Sequence, residues 1–153
     1  LPRFAGWWGH DKATRFMMGP EFRPLAGAEG WQISNPPILQ LAALRASLEI
    51  FDIAGMPSLR EKSEKLTGYL EFLIDRVDHQ RISVITPRDP AQRGCQLSIR
   101  VQNADKDLFD RITQNGIAVD WREPDVIRVA PAPLYNSFAD VYRALEILRD
   151  SLR

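Results

Sequence analysis

The sequence predicts an α+β fold: a small antiparallel sheet covered by helices on one face, in the order αββαββα, preceded by an aromatic arm and a connecting helix. Three observations predict it. Leu1 to Asn35 holds six of the 14 aromatic residues and five of the nine glycines, yet shows no sustained helical or strand period. Two runs of apolar side chains at helical spacing follow. From Ile82 onward, short alternating segments take turns with helical ones. Such an order suits a layer of helices on one face of a small sheet.

The arm contains Phe4, Trp7, Trp8, Phe16, Phe22 and Trp31. Burying aromatic surface is worth roughly 25 cal/mol per Å². An irregular stretch of this kind is not expected to fold on itself. It should lie against the rest of the chain, a further domain, a partner subunit or a ligand. Ser34-Asn35-Pro36-Pro37 comes next. Asn35 precedes a proline and should be extended, and proline suits a first helical turn. Ile38, Leu41, Leu44, Leu48 and Phe51 then give a helix that Gly55 breaks. Pro57 and Ser58 restart one, with Ser58 and Glu61 spaced as a capping box. Leu59, Leu66, Leu70, Leu73 and Val77 form its apolar stripe.

Ile82 to Ile85 reads as a strand ended by Thr86-Pro87. Cys95 to Val101 alternates as a strand with one wet face does. Asn103 or Asp105 caps a helix through Gln114, and Gly116 suits its stop. Ile117 to Trp121 and Val126 to Ala130 read as two strands joined by Arg122-Glu123-Pro124-Asp125. Ser137 with Asp140 opens a last helix whose stripe is Phe138, Val141, Tyr142, Leu145, Leu148 and Leu152. The expected divisions are 1–36 for the arm, 37–55 for the connecting helix and 56–153 for a C-terminal small domain.

A chain of 153 residues is one domain, or one domain with a segment of another. Twenty basic residues balance 20 acidic ones, so no charge surplus points to nucleic acid or to a membrane surface. No apolar run reaches the roughly 18 residues that span a bilayer, and no signal peptide is legible. A single cysteine, Cys95, excludes an internal disulfide framework and fits a reducing compartment. The chain begins at Leu1 rather than Met, as a segment of a longer protein or a processed product would.

Among charged residues Arg128 is the most informative. It sits in an apolar strand on the face of Val126 and Ala130. Its guanidinium is a planar five-donor fork suited to a carboxylate. If helices cover one face, Arg128 points from the other towards a cleft. Spacing alone favours a cross-strand pair with Asp120 or a surface charge. Trp7 and Trp8 suit stacking on a flat ligand, a subunit interface or plain packing. His10 has only His79 for company and no metal-ligand spacing, so a structural histidine is favoured over an acid or base. His79 reads as part of a helix end. Asn35 offers an amide to a ligand or to a helix N-terminus. Cys95 has no activating neighbour and reads as an inert buried thiol. Gly27-Ala28-Glu29-Gly30 lacks the strand and helix of a phosphate-binding loop.

Whole segments carry more than spacing does. Ala5-Gly6-Trp7-Trp8-Gly9-His10, Thr14-Arg15-Phe16 and Gln32-Ile33-Ser34-Asn35-Pro36-Pro37-Ile38-Leu39 resemble the C-terminal part of kynureninases. So do Leu66-Thr67-Gly68-Tyr69-Leu70-Glu71, Arg93-Gly94-Cys95-Gln96-Leu97-Ser98, and Ile127-Arg128-Val129-Ala130-Pro131-Ala132-Pro133-Leu134-Tyr135-Asn136-Ser137. The resemblance spans nearly the whole chain in the family's order. It implies a pyridoxal-phosphate enzyme of the aspartate-aminotransferase fold, a cytosolic homodimer with its active site between subunits. Such enzymes hydrolyse L-kynurenine or 3-hydroxykynurenine to alanine and anthranilate or 3-hydroxyanthranilate. It implies that Trp7 and Asn35 hold the cofactor phosphate from the neighbouring subunit, and that Arg128 grips the substrate α-carboxylate. Trp8, His10 and Ser34 would lie near the substrate's aromatic ring. Ser34-Asn35 also resembles the vertebrate-like form, a hint of the 3-hydroxy substrate. The arm would belong to the large cofactor domain.

One departure matters. Lys12, Lys62, Lys65 and Lys106 match neither the family's cofactor-binding lysine nor its surroundings, and the aspartate and tyrosine that accompany that lysine have no counterpart either. All three are expected to lie before Leu1, so these 153 residues alone are expected to be inactive. Two rivals stand beside this reading: a cysteine desulfurase-like enzyme of the same fold, and a non-catalytic amino-acid-binding module.

Overall fold

The computed structural model describes residues 3–17, 19–77 and 80–152. By its backbone contacts the chain divides into two compact units, Leu1–Phe51 and Asp52–Arg153.

Among its described residues the first unit has no strand and only a single 3-10 turn, Ala28–Trp31, before its helix. The arm nonetheless pairs with itself, contrary to the expectation that it cannot. Gly9 N–H donates to Gln32 O at 2.8 Å, Leu25 N–H to Gly9 O at 2.8 Å, and Asp11 N–H to Arg23 O at 2.7 Å. Residues 9–11 therefore run between the chain on either side, with His10 and Pro24 in an isolated antiparallel bridge. What the arm does not do is bury aromatic surface: Phe4, Trp7, Phe16 and Trp31 all remain exposed. Helix α1, Ile38–Ala54, follows the two prolines as expected, and none of its residues is buried. Its apolar period set the helix but not a core.

In the second unit, α2 is Met56–Ile74, β1 Ile82–Val84, β2 Leu97–Val101, α3 Lys106–Gln114, β3 Asp120–Arg122, β4 Val126–Val129 and α4 Phe138–Ser151. That is the αββαββα order. The strands form one antiparallel sheet in the order β1-β2-β4-β3. Leu97, Ile99, Val101, Ile127 and Ile82 are buried from the sheet. They pack against Leu66, Leu70 and Ile74 of α2, Leu108 and Ile112 of α3, and Val141, Leu145 and Leu148 of α4. Alternation along the strands sends the intervening residues to the opposite face.

Several local details follow from their caps. Asp105 accepts from Leu108 N–H and Ser137 from Asp140 N–H, the latter in a reciprocal capping box. Gly116 takes φ 87° just past α3, where a side chain would be strained. The Ser58–Glu61 capping box does not form. Gly55, at φ 76°, is the N-cap of α2, so Ser58 is already the helix's third residue. Glu61 pairs instead with Lys65 at 2.5 Å. Strand bounds contract at the rims. The first strand ends at Val84, although Ile85 N–H still reaches Ser98 O at 2.8 Å. The second begins at Leu97, leaving Cys95 half-buried in a bend rather than buried in a strand. The third runs from Asp120 rather than Ile117. Phe138 and Tyr142 of α4 are exposed, so the buried stripe is narrower than its spacing implied. Among the described residues, no helix is long and apolar enough to cross a membrane. His79 lies outside the described residues.

Candidate functional site

Five of the six residues singled out in the sequence, Trp7, Trp8, His10, Ser34 and Asn35, belong to the first unit. What brings them together is the absence of side chains at two glycines. A Cβ on Gly6 would stand 2.2 Å from Ile33 Cα, and one on Gly9 would stand 2.8 Å from Gly30 O. The backbone around the tryptophans thus lies directly against the segment that leads into Ser34 and Asn35.

Arg15, which sequence reasoning left without a role, locks this turn. Its Nη2 donates to Trp8 O at 3.1 Å and His10 O at 3.2 Å. Its guanidinium also stands 5.5 Å from the Trp7 ring and 5.6 Å from the Trp8 ring, within cation–π range. The two indoles meet edge to face at 5.3 Å. Trp7 stays 43% exposed. Among the described residues, the side chains of Trp7, Ser34 and Asn35 form no hydrogen bond, so their polar groups are uncommitted. Asn35 does not cap α1.

His10 is held more firmly than a surface histidine. Its ring meets Phe22 edge-on at 5.5 Å, and its Nε2 lies 3.1 Å from Thr14 Oγ1. The Thr14 hydroxyl donates its one hydrogen to Asp11 Oδ2 at 3.0 Å. That bond, with Ala13 N–H, holds the Asp11 carboxyl below its usual range. With its hydrogen spent, the hydroxyl can only accept from the ring, which places the imidazole proton on Nε2 and leaves Nδ1 unengaged.

Arg128, in the second unit, projects from the face of the sheet that helices do not cover. The register sets Ser98, Arg128 and Asp120 side by side across β2, β4 and β3. Arg100 and Arg122 lie on the same face one pair along, both opposite Val126. Asp120 Oδ2 accepts from Arg128 Nη2, and Arg122 Nη2 approaches that same oxygen at 2.9 Å. The cross-strand pair with Asp120 is thus present. It uses only part of the fork: Arg128 Nε is buried without a hydrogen-bond partner, while the side chain is 33% exposed. Arg122 and Ser98 were not singled out beforehand. Their signal was the two-residue period shared with Asp120 and Arg100.

The fold is the C-terminal part of the aspartate-aminotransferase architecture. A C-DES mutant with glycine covalently linked to its PLP cofactor superposes with a TM-score of 0.72 at 18% identity, covering 97% of this chain and 38% of that one. A NifS-like protein gives 0.66 at 19% identity, over 88% of this chain and 40% of the other. At such identities these likenesses establish architecture alone. The sequence goes further: the family model of the kynureninase C-terminal domain matches residues 59–148. Kynureninase of Myxococcus xanthus is 63% identical over 153 residues, all of this chain and 36% of that protein. Kynureninase of Koribacter versatilis is 62% identical over 146 residues, 95% of this chain and 34% of that protein. The chain belongs to the kynureninase family, and it spans about a third of the length of these curated relatives.

Proposed function

We propose that these residues are the C-terminal portion of a pyridoxal-phosphate-dependent hydrolase. The whole enzyme cleaves L-kynurenine or 3-hydroxykynurenine into L-alanine and anthranilate or 3-hydroxyanthranilate, a step of tryptophan catabolism. The observation that carries this reading is the 63% identity with a kynureninase over every residue of the chain. A cysteine desulfurase-like activity has only the fold in its favour, at 19% identity or less.

In this reading 1–36 is part of the large cofactor domain, 37–55 the connecting helix and 56–153 the small domain. The enzyme is a cytoplasmic homodimer whose site draws on both subunits. The residues fit the cofactor's phosphate: Trp7 offers a free indole N–H and Asn35 a free amide, on backbone that Gly6 presses against Ile33. Pyridoxal phosphate, when bound, supplies the electron sink that makes the scissile carbon–carbon bond labile. The chain's own part is to bind and orient. Arg128 grips the substrate α-carboxylate through the Nη1 that Asp120 leaves free. Trp8 and His10 present flat faces to the substrate's ring and keep water from it, and the Ser34 hydroxyl reaches the ring's polar substituents. Covalent attachment of the cofactor falls to a lysine outside this chain, so these residues alone are inactive.

The test is a pair of substitutions in the whole enzyme. Arg128→Ala should weaken kynurenine binding by about 2–5 kcal/mol, at least a tenfold rise in KM, with bound cofactor retained. Trp7→Ala and Asn35→Ala should do the reverse and lower cofactor retention. Loss of cofactor from Arg128→Ala with unchanged kynurenine affinity contradicts the assignment.

A further inference from the structure

We infer that Asp120 is a positioning residue for the carboxylate-binding Arg128, and that Arg122 is the anchor that makes it one. The inference rests on the reading of Arg128 given above. Asp120 stands directly across from Arg128 in the β3–β4 register. Of the Arg128 donors, only Nη2 reaches its Oδ2. A bidentate pair would consume a full edge of the guanidinium. Here the adjacent Nε has no partner although it is shielded from solvent, and Nη1 makes no hydrogen bond among the described residues. A one-point tether of this kind restricts a long side chain that otherwise samples many rotamers, and it leaves Nη1 without a hydrogen bond among the described residues.

Charge explains the second arginine. Arg128 and Asp120 alone would sum to zero, and an arriving carboxylate would face the Asp120 carboxylate with no net attraction. Arg122 Nη2 lies 2.9 Å from the same Oδ2, so the trio carries one net positive charge, the complement of one carboxylate. Arg122 also sits on the same strand as Asp120, two residues along, and so holds it from β3 itself. The sheet face therefore presents a receptor whose geometry is set by β3 and whose charge is matched to a single anionic group.

The experiment uses the full-length enzyme with Asp120→Ala, Asp120→Asn, Asp120→Glu and Arg128→Ala. Loss of one partly exposed ion pair predicts that Asp120→Ala raises KM for L-kynurenine about fivefold, with kcat changed less than KM. A competitive ligand bearing the α-carboxylate should lose affinity by the same factor in calorimetry. The decarboxylated amine of kynurenine should bind as it does to the parent enzyme, a distinction that a merely structural role would not produce. Asp120→Glu should restore part of the loss. An unchanged KM in Asp120→Ala, or equal weakening of both ligands, overturns the inference. If Asp120→Ala does not fold, Asp120→Asn decides: it keeps the shape and one acceptor and should raise KM about twofold, since a neutral acceptor bonds about half as strongly, while an unchanged KM overturns the proposal. Arg128→Ala separates the two levels. If it leaves the carboxylate ligand's affinity intact, the reading beneath is wrong; if it weakens that ligand while Asp120→Ala and Asp120→Asn do not, only the positioning role fails.

Discussion

Replacing Arg93 by Met should destabilise the second unit by an amount the structure allows to be worked out. The Arg93 side chain is 2% exposed and its partner Glu71, on α2, 11%. Arg93 Nη1 donates to Glu71 Oε2 at 2.9 Å and to Pro87 O at 3.1 Å, fastening the loop before β2 to the helix layer. Methionine keeps most of the side-chain volume, so the change isolates the charge from cavity formation. Removing one member of a buried pair costs about 3–5 kcal/mol, because the other is left as an uncompensated charge. Arg88 stands 3.5 Å from the second Glu71 oxygen and offsets part of this. The net expectation is about 2–4 kcal/mol, or a fall of about 1–2 M in the urea midpoint at unchanged m. The pair is also imperfectly satisfied, since Arg93 Nε and Glu71 Oε1 lack hydrogen bonds. The double variant Glu71→Leu, Arg93→Met should therefore recover most of the loss, with Arg88 still held by both Asp75 oxygens at 2.7 and 2.8 Å. Urea unfolding followed by circular dichroism measures all of this. A loss below about 1 kcal/mol for Arg93→Met, or an additive double variant, would refute the reasoning.

Three further outcomes follow. Gly6→Ala would drive its Cβ to 2.2 Å from Ile33 Cα and force the arm apart, so cofactor content of the whole enzyme should fall, read from the cofactor's absorbance. Gly68→Ala in α2 meets nothing within 4 Å and should be neutral or stabilising by about 0.5–1 kcal/mol. The α4 cap should show its own acid dependence. Ser137 backbone and side-chain hydrogen bonds hold the Asp140 carboxyl below its unfolded value of 3.8. A depressed carboxyl contributes stability above the unfolded pKa and loses it as pH falls through the folded one. The stability gap between the parent chain and Ser137→Ala should therefore stay level near neutrality and narrow without closing below pH 3.8, since the Asp140 N–H to Ser137 Oγ bond does not titrate; a gap unchanged into stronger acid would contradict the carboxylate's share of the cap.

How much was legible varied with the kind of evidence each residue gives. Ser137 and Asp140 announced the α4 cap because both groups satisfy orphan backbone donors locally. The same spacing at Ser58 and Glu61 misled, because Gly55 and Pro57 had already started α2 upstream of them. Helical period correctly drew α1 but could not say that its apolar side chains would stay exposed, since period reports a face and not what covers it. The Arg128–Asp120 pair was readable as a cross-strand option. The part of Arg122 was not, because it depends on how a three-residue strand is registered after a turn. Arg15's hold on the Trp8 and His10 carbonyls was equally hidden, since side-chain donors to a turn leave no periodic trace.

Strand β4 serves two masters on alternate residues. Ile127 faces the helices and is 1% exposed, while Arg128 faces away. Sliding this strand by a single residue would plunge a guanidinium into hydrocarbon and strand an isoleucine among arginines. Natural variation along residues 126–129 should accordingly be confined twice over, volume policed at one position and charge at the next, and no insertion there would be neutral.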